Sequence, residues 1–348
     1  MHTDNKLRGF LKSKLFFLLA LFLGLIIVFT VWAKIINTRF LTLDTLLAIA
    51  DSMIVTAFLA IGAGFLMVSG RLDLSVARSG MFAGMLLAVS IKYWDVPGTL
   101  GLIPGTMIII VCGLLCCAVF GIINATLVNI FNFQPFIATM AMASVIDGIT
   151  RIVSVDPVSG VATPVNASNA VTNFIGTARI GGIPFMYIFV IAAFIIYGLI
   201  LAKTKFGMKM YLVGGNPKAA RLCGINPRTV SYLLYINCAM LAGVSGVTLM
   251  CRVGQGGLES MAQYQFTGLT AAILGGVSFG GGSGNMGGVF VGILLLNTFT
   301  KGTTIVRFDP YWTNVLSGVL LLVALTLDYY TSRGTQKSAP EGFSRNPS

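Results

Sequence analysis

Residues 96–146 read VPGTLGLIPGTMIIIVCGLLCCAVFGIINATLVNIFNFQPFIATMAMASVI, and no side chain in this stretch is charged. A helix needs about 20 apolar residues to cross a bilayer, so the stretch is long enough for two crossings. Between them, residues 129–135 (NIFNFQP) supply a turn, because Asn and Pro interrupt a helix without adding charge. The stretch therefore predicts two consecutive membrane helices.

The whole chain has the same character. Of its 348 residues, 56% are hydrophobic and 10% are charged, whereas a soluble domain carries about 25% charged residues. Residues 260–300 form a second stretch without charge. So much apolar surface does not fit inside one water-soluble core, and we predict an all-α integral membrane protein.

The hydrophobic pattern predicts about ten transmembrane helices, some of them broken. The eighth is too short to cross a bilayer alone, which is typical of a half-helix buried among its neighbours. The predicted helices cover residues 15–33, 44–68, 76–91, 102–128, 134–153, 184–202, 227–250, 267–279, 285–300 and 311–327.

The predicted membrane domain covers residues 15–330. A basic tail at residues 1–14 precedes it, and a second tail at residues 331–348 follows it. Within the domain, residues 203–228 and residues 154–183 form the two longest predicted loops. The second loop is rich in Ser, Thr, Asn, Gly and Pro.

Positive charge indicates the orientation, since Lys and Arg collect in cytoplasmic loops. Most of the 23 Lys and Arg fall on the side of the N-terminus, with Arg71 and Arg78 among them, whereas Arg151, Arg179 and Arg252 fall on the other side. Both termini and the 203–228 loop are therefore expected in the cytoplasm, and the 154–183 loop outside. This bias accounts for the net charge of +12, so no nucleic-acid partner is predicted.

Catalytic and metal-binding side chains are scarce. The six Cys mostly sit in apolar runs without a Cys-x-x-Cys pair, and the one His is His2, in the tail. Neither a zinc site nor a disulfide framework is indicated. We predict a protein that is not an enzyme and has no cofactor or metal.

Residues 206–227 (FGMKMYLVGGNPKAARLCGINP) are basic and turn-rich between two apolar spans. Asn216 followed by Pro217 is typical of a helix start, Gly224 of a helix end, and Asn226 begins the next span. The pattern predicts a short helix outside the membrane with a face of small residues. The helix and its flanks comprise Gly215, Asn216, Pro217, Lys218, Ala219, Ala220, Arg221, Cys223, Gly224, Ile225 and Asn226.

A phosphate loop is a poor interpretation of either Gly-rich stretch, because neither has Gly-x-x-x-x-Gly-Lys-Ser/Thr spacing. Residues 274–288 (LGGVSFGGGSGNMGG) favour close helix packing and a tight turn over ligand binding. The glycines assigned to packing are Gly275, Gly276, Gly284, Gly288 and Gly292.

A second motif, SGRLDLS at residues 69–75, is expected where the second span meets the cytoplasm. Asp73 with Ser75 is predicted to cap the third helix, which is a structural role. The residues assigned to this motif are Gly70, Asp73, Leu74 and Ser75.

Charged or polar side chains inside spans mark candidate functional positions. Asp147 can pair with Arg151 four residues on, whereas Asp51 has no partner nearby in the sequence. Too few acids are present to build a proton relay. The residues proposed for a translocation path are Asp51, Asn124, Gln134 and Asp147, and the Asn side chains can equally bond between helices.

Four motifs in register carry a family resemblance: SGRLDLSV at residues 69–76, QPFIATMAM at 134–142, GGNPKAARLCGINP at 214–227, and TAAILGGVSFGGGSGNMGGVFVGILLL at 270–296. Together they resemble the permease subunits of ABC importers for simple sugars, of the ribose, xylose, arabinose and galactose type. The resemblance extends from the second span to the tenth.

The resemblance implies a multi-pass permease of the bacterial cytoplasmic membrane that works by ATP-driven alternating access. It would pair with a second permease, identical or related, and with two cytoplasmic ABC ATPase subunits. A binding protein outside the membrane would deliver the sugar, and membrane lipid would surround the spans. The stretch at residues 214–227 would be the helix that couples the permease to the ATPase.

The sequence departs from the family in two places. SGRLDLSVA replaces the usual GGIDLSVG pattern, and Gln265 and Thr267 stand where acids are usual. These differences leave the sugar and the binding-protein contact open, and they favour an unequal permease pair. The alternatives are a nucleoside or furanose-like signal-molecule ABC permease, an ion-coupled secondary carrier, and a membrane scaffold without transport.

Overall fold

The computed structural model describes residues 14–309, 311–313, 315–319, 321–322 and 325–326. This part of the chain contains thirteen α-helices, numbered in chain order. They are α1 Lys14–Ile35, α2 Leu43–Val68, α3 Val76–Lys92, α4 Val96–Leu100, α5 Leu102–Asn129, α6 Pro135–Val153, α7 Ala170–Thr177, α8 Phe185–Lys203, α9 Lys205–Gly215, α10 Pro217–Leu222, α11 Pro227–Val253, α12 Thr267–Leu274 and α13 Met286–Ile305.

Short strands lie in the connections between helices: β1 Val165–Asn166, β2 Arg179–Ile180, β3 Ile183–Pro184 and β4 Gln255–Gly256. Strand β1 pairs antiparallel with β4, and β2 pairs antiparallel with β3 in a tight hairpin.

Seven of the described helices are long and apolar enough to cross a membrane: α1, α2, α5, α6, α8, α11 and α13. The chain is therefore a helical multi-span protein, but the predicted count of about ten is not reached in this part. The predicted third span is the 17-residue α3, and the eighth is the eight-residue α12. Of the predicted tenth span, some residues fall outside those described, as do residues 1–13 and the tail at 331–348.

Helix α11 lies at the centre of the bundle, in contact with α2, α3 and α5. Glycines allow its closest approach, to α3. A Cβ atom on Gly84 would lie 2.7 Å from the carbonyl oxygen of Gly246, and one on Gly246 would overlap the backbone of Gly80. Small residues that bring helix backbones together are the usual interface of membrane helices, which lack a hydrophobic force between them.

Helices α12 and α13 approach each other closely at the glycines singled out in the sequence. A Cβ atom on Gly275 would overlap the backbone of Gly288, and one on Gly292 would overlap the backbone of Ala271. Gly276 and Gly284, with φ of 88° and 139°, belong to the turn between the two helices.

Residues 254–266 run along α3 between α11 and α12 without forming an α-helix, and Ala262–Tyr264 near their end form one turn of 3₁₀ helix. Gly256 packs against Met85, and the side chain of Met261 lies beside Gly80, one turn from the start of α3. The short α12 then continues along α2. The predicted half-helix is thus present, and Gly256 and Met261 are the buried residues of the segment before it.

Contacts near the two ends of α2 define the two ends of the bundle. Near its start, Asp51 contacts Arg179 and Arg252, whereas Val68 at its end packs against Gly214 of α9. Asp51 and Val68 are about 26 Å apart along the helix, at 1.5 Å per residue. We call these the α7 end and the α10 end.

The predicted loop at residues 154–183 contains short regular elements. Asn169 begins α7 with a capping box, and β2 and β3 form a hairpin at the loop's end. Near its start, Asp156 accepts hydrogen bonds from the backbone N–H groups of Ser159 and Val158 and from the hydroxyl of Tyr93. These bonds lower the pKa of Asp156 below its ordinary value.

Candidate functional site

The stretch that joins α9 to α11 contains the predicted short helix, α10. The Oδ1 atom of Asn216 accepts hydrogen bonds from the backbone N–H of Lys218 at 3.0 Å and of Ala219 at 3.1 Å. Pro217 occupies the first helical position, and Gly224 follows the helix with φ of 75°. Asn226 caps α11 in the same way. Local chemistry thus fixes both ends of α10.

The face of α10 that points away from the bundle differs from the predicted one. Ala220 is buried, so it packs under the helix, whereas Ala219 and Cys223 are exposed. Leu222 is 91% exposed. Leu222 was not singled out in the sequence. Its side chain adds an exposed apolar group beside the basic residues of α10.

Four glycines pack α9, which leads into α10, against the membrane helices. We call Gly70, Gly214, Gly281 and Gly282 the glycine junction. The N–H of Gly282 donates to the carbonyl of Val68 at 2.8 Å. A Cβ atom on Gly214 would overlap that same carbonyl, and one on Gly281 would lie 2.6 Å from the N of Gly70. Helix α9 is therefore in direct backbone contact with the end of α2 and with the turn before α13.

The carboxylate of Asp73 is the centre of a buried polar cluster. Its Oδ1 accepts from the backbone N–H of Ser75 at 2.8 Å and from the Ser75 hydroxyl at 2.6 Å. The amide of Asn124 in α5 donates to Ser75 Oγ at 2.8 Å and to Asp73 Oδ2 at 3.2 Å. Ser75 occupies the N-cap position of α3, but its side chain does not cap the helix. The predicted Asp73–Ser75 cap is corrected accordingly: both side chains bind each other and Asn124.

Two further helices hold the same motif. The backbone N–H of Leu74 donates to Thr139 Oγ1 of α6 at 3.0 Å, and the hydroxyl of Tyr235 in α11 donates to the carbonyl of Leu72 at 2.9 Å. The residues between α2 and α3 are thus anchored to α5, α6 and α11. Because these contacts use the backbone as well as side chains, the motif is a rigid attachment point.

Two arginines and two carboxylates form a closed set of ion pairs, which we call the charge ring: Arg78, Asp147, Arg151 and Glu259. Arg78 contacts Asp147 at 2.9 Å and Glu259 at 3.0 Å, and Arg151 contacts each of the same two carboxylates at 2.8 Å. The ring joins α3, α6 and the 254–266 segment. Its formal charge sums to zero.

The charge ring brings together two arginines that the sequence-based charge map assigned to opposite sides. That map placed Arg78 on the cytoplasmic side and Arg151 outside, and in the structure both guanidinium groups bind the same two carboxylates. Sequence reasoning found the Asp147–Arg151 pair and missed Glu259 and Arg78. Glu259 could have been found from its position in the sequence. It lies between two predicted spans and immediately precedes the uncharged stretch at residues 260–300.

Asp51 has partners from other elements, although none is near in sequence. Its carboxylate contacts Arg179 of β2 at 2.6 Å and Arg252 of α11 at 3.7 Å. Arg252 also donates to the backbone carbonyl of Asp51. These contacts attach the β2–β3 hairpin to α2 and α11 at the α7 end.

The four residues predicted for the path do not form one cluster. Asn124 is buried beside Asp73, Asp51 lies at the α7 end, and Asp147 belongs to the charge ring. Gln134 is the exposed N-cap residue of α6, about 20 Å along that helix from Asp147. Asp51 in α2 and Asp147 in α6 are each paired with two arginines, and Asp147 shares its arginines with a second carboxylate, Glu259.

Long apolar helices, a short capped helix outside them and charged groups within the spans define a membrane transport component. The chain belongs to the family described as the branched-chain amino acid transport system / permease component, whose model matches residues 45–325.

Curated relatives cover nearly the full chain. The ribose import permease protein RbsC of Bacillus subtilis is 30% identical over 313 residues, which are 88% of this chain and 91% of that protein. The galactose/methyl galactoside import permease protein MglC of Haemophilus influenzae is 29% identical over 93% of this chain and 96% of its own. The L-arabinose transport system permease protein AraH of Escherichia coli is 28% identical over 89% and 91%. No solved structure matches the chain.

Proposed function

We propose that the chain is the permease subunit of an ATP-driven ABC importer and forms the translocation path for a simple sugar. The sugar class rests on the relatives, whose names specify ribose, galactose and arabinose import. The assignment of this chain to an importer rests on the same names. A permease of this kind carries out no bond chemistry, so ATP hydrolysis belongs to a separate subunit.

The observation that carries the coupling to ATP is the geometry of α10. This helix is capped at both ends by its own sequence, and it presents Leu222 beside Lys218 and Arg221. Protein interfaces typically have an apolar core surrounded by a polar rim. We assign this surface to one of two cytoplasmic ATPase subunits, the second of which binds α10 of the paired permease.

The glycine junction supplies the route from α10 into the membrane. When the ATPase subunits close on ATP, α10 and α9 move with them. Because Gly214 is in backbone contact with Val68 and with Gly282, this movement displaces α2 and the turn before α13. The spans then rearrange around the path, which is alternating access driven from the α10 end.

The proposed sidedness follows from this assignment. The α10 end faces the cytoplasm together with both termini, and the α7 end faces the extracytoplasmic binding protein. The contacts of Asp51 with Arg179 and Arg252 fix the β2–β3 hairpin there as a rigid docking surface. The membrane is the bacterial cytoplasmic membrane, and the chain pairs in it with an identical or related permease.

Reconstitution with the cognate ATPase and binding protein tests the proposal. Proteoliposomes are given ribose, galactose, arabinose and a nucleoside panel, with and without ATP inside the compartment that holds the ATPase. We expect ATP-dependent uptake of one sugar that persists when ionophores remove all ion gradients. Uptake driven by an ion gradient without ATP, or uptake of nucleosides alone, would contradict the proposal.

A further inference from the structure

The charge ring lies inside the membrane-spanning part of the bundle. The hydrogen bond from the backbone N–H of Leu74 to Thr139 fixes the position of α6 relative to residues 69–75. Asp147 lies eight residues after Thr139 in α6, about 12 Å closer to the α7 end. Both Asp147 and Arg151 belong to α6, which is one of the seven spans. The ring is thus set back from the α10 end, and it includes Arg151 in the last turn of α6.

Part of the ring is open at the surface of the single chain. The side chains of Glu259 and Arg151 are 57% and 43% exposed, whereas those of Arg78 and Asp147 are 21% and 23% exposed. Ionisable groups at membrane depth almost always face a protein interior or a water-filled cavity, because hydrocarbon does not solvate them. Lipid hydrocarbon is therefore a poor neighbour for this face, and we expect a polar one.

The surface beside the ring leaves room for a solute. Ser144 and Gly148 of α6 are exposed on the same side as Arg151, two turns and one turn before it. A Cβ atom added to Gly148 would meet no atom within 4 Å. Val145 and Ile152 are also exposed on this helix, so the charged groups border an open surface on which small residues lie among apolar ones.

The hydrogen-bonding capacity of the ring fits a neutral solute with several hydroxyl groups. Arg78 makes both of its carboxylate contacts through Nη1, so its Nη2 and Nε are not engaged within the ring. Guanidinium groups donate and carboxylates accept, which matches hydroxyls that do both. Because the ring has no net charge, it offers a strong site to neither anions nor cations.

We infer that the charge ring, Arg78, Asp147, Arg151 and Glu259, is a sugar-contacting constriction of the translocation path, on the face that meets the paired permease. The inference rests on the proposed function, and it adds Arg78, Arg151 and Glu259 to Asp147 as the groups that touch the solute. Its chemistry assigns a neutral, polyhydroxylated molecule to this point of the path.

Thiol accessibility in the assembled importer tests the inference. Cys112 and Cys223, the two exposed cysteines, are first replaced by Ser. Ser144→Cys and Gly148→Cys are then reacted with a charged, membrane-impermeant methanethiosulfonate in the nucleotide-free and the vanadate-trapped states. Ile196→Cys on α8, an exposed apolar site within a span, is the control. We expect the two α6 cysteines to react in at least one state, and the control to react in none.

Protection by sugar gives the second readout. The transported sugar among ribose, galactose and arabinose should slow labelling of Gly148→Cys about tenfold, and Glu259→Gln should lower that protection about tenfold, as the loss of one charge-assisted hydrogen bond does. Glu259→Asp should restore part of it. Failure of both α6 cysteines to react in either state would overturn the inference, as would labelling that a transported sugar does not slow.

The two proposals fail in different ways. If none of the sugars is taken up with ATP, the proposed function is wrong, while labelling in the two nucleotide states still decides whether water reaches the ring. If a sugar is taken up and the α6 cysteines stay unreactive, the function holds and the constriction lies elsewhere.

Discussion

The glycine junction and the charge ring connect membrane helices in opposite ways. At the junction, backbones touch without side chains between them, so Gly214, Val68 and Gly282 have no room to move independently. In the ring, side chains meet across a partly open surface, and Glu259 is more than half exposed. A contact between backbones transmits displacement, whereas a contact between solvated charges can open and close. In the proposed mechanism, the glycine junction transmits force at the α10 end, and the charge ring selects the solute further inside.

The largest expected effect comes from filling the junction. Gly214→Ala adds one Cβ atom that overlaps the Val68 carbonyl, a backbone atom that cannot rotate away. We expect a loss of about 3 kcal/mol in the free energy of unfolding, at the upper end for overpacking. Thermal unfolding of the purified permease measures it.

Gly215→Ala is the matched control, since it is the next residue in the same helix and a Cβ atom there meets nothing within 4 Å. It should be neutral or slightly stabilising, because Ala is the better helix former. Equal effects of the two substitutions would show that the junction is not tightly packed.

The next effect is expected in the ring. Asp147→Asn leaves Arg78 and Arg151 without one of their two acids, and both Asp147 and Arg78 are mostly buried. We expect a loss of about 2 kcal/mol in the free energy of unfolding, the range for hydrogen bonds to charged groups. Thermal unfolding again gives the value. Asp44→Asn, an exposed carboxylate in the first turn of α2, should change it by less than half as much.

Removal of the α10 cap should cost less. Asn216→Ala deletes the acceptor for two backbone N–H groups, and loss of such a cap typically costs about 1 kcal/mol. Because α10 is short, the loss should appear as faster hydrogen exchange in residues 218–222. Asn216→Asp keeps the accepting oxygen and should exchange at the parental rate. Unchanged exchange in Asn216→Ala would mean that the cap does not hold the helix.

The smallest effect on stability is expected from Glu259→Gln. Its side chain is the most exposed in the ring, and exposed ion pairs contribute about 1 kcal/mol or less. Thermal unfolding should therefore shift less than in Asp147→Asn. A shift as large as that of Asp147→Asn would mean that Glu259 holds the ring together, and the ring would then not open readily.

Local sequence patterns predicted α10 but not the ring, because only α10 depends on residues that are close together in the sequence. The ends of α10 depend on Asn216, Pro217 and Gly224, which act on their immediate neighbours, so local pattern suffices. The ring joins Arg78 to residues 69 and 181 positions away, and no local pattern carries that information. The Asp147–Arg151 pair was found because it is one helical turn long.

The helix count shows the same limit. Hydropathy located the long spans well, since each is apolar over its whole length. It could not show that the 254–266 segment, which contains one 3₁₀ turn and no α-helix, packs along α3, because tertiary contacts determine that placement. The buried role of Asp73 was also beyond local reasoning, which favoured a helix cap over the bond to Asn124 in α5.

The central claim is that α10 couples the permease to an ATPase, and Leu222 gives its most direct test. Leu222→Asp changes a side chain that is 91% exposed, so the permease should fold with its parental unfolding temperature. In the assembled complex, we expect substrate-stimulated ATP hydrolysis to fall at least tenfold, about the effect of losing an interface hot spot. Lys218→Ala, on the rim of the same helix, should have a much smaller effect. Parental ATP hydrolysis and parental co-purification of the ATPase with Leu222→Asp would contradict the account.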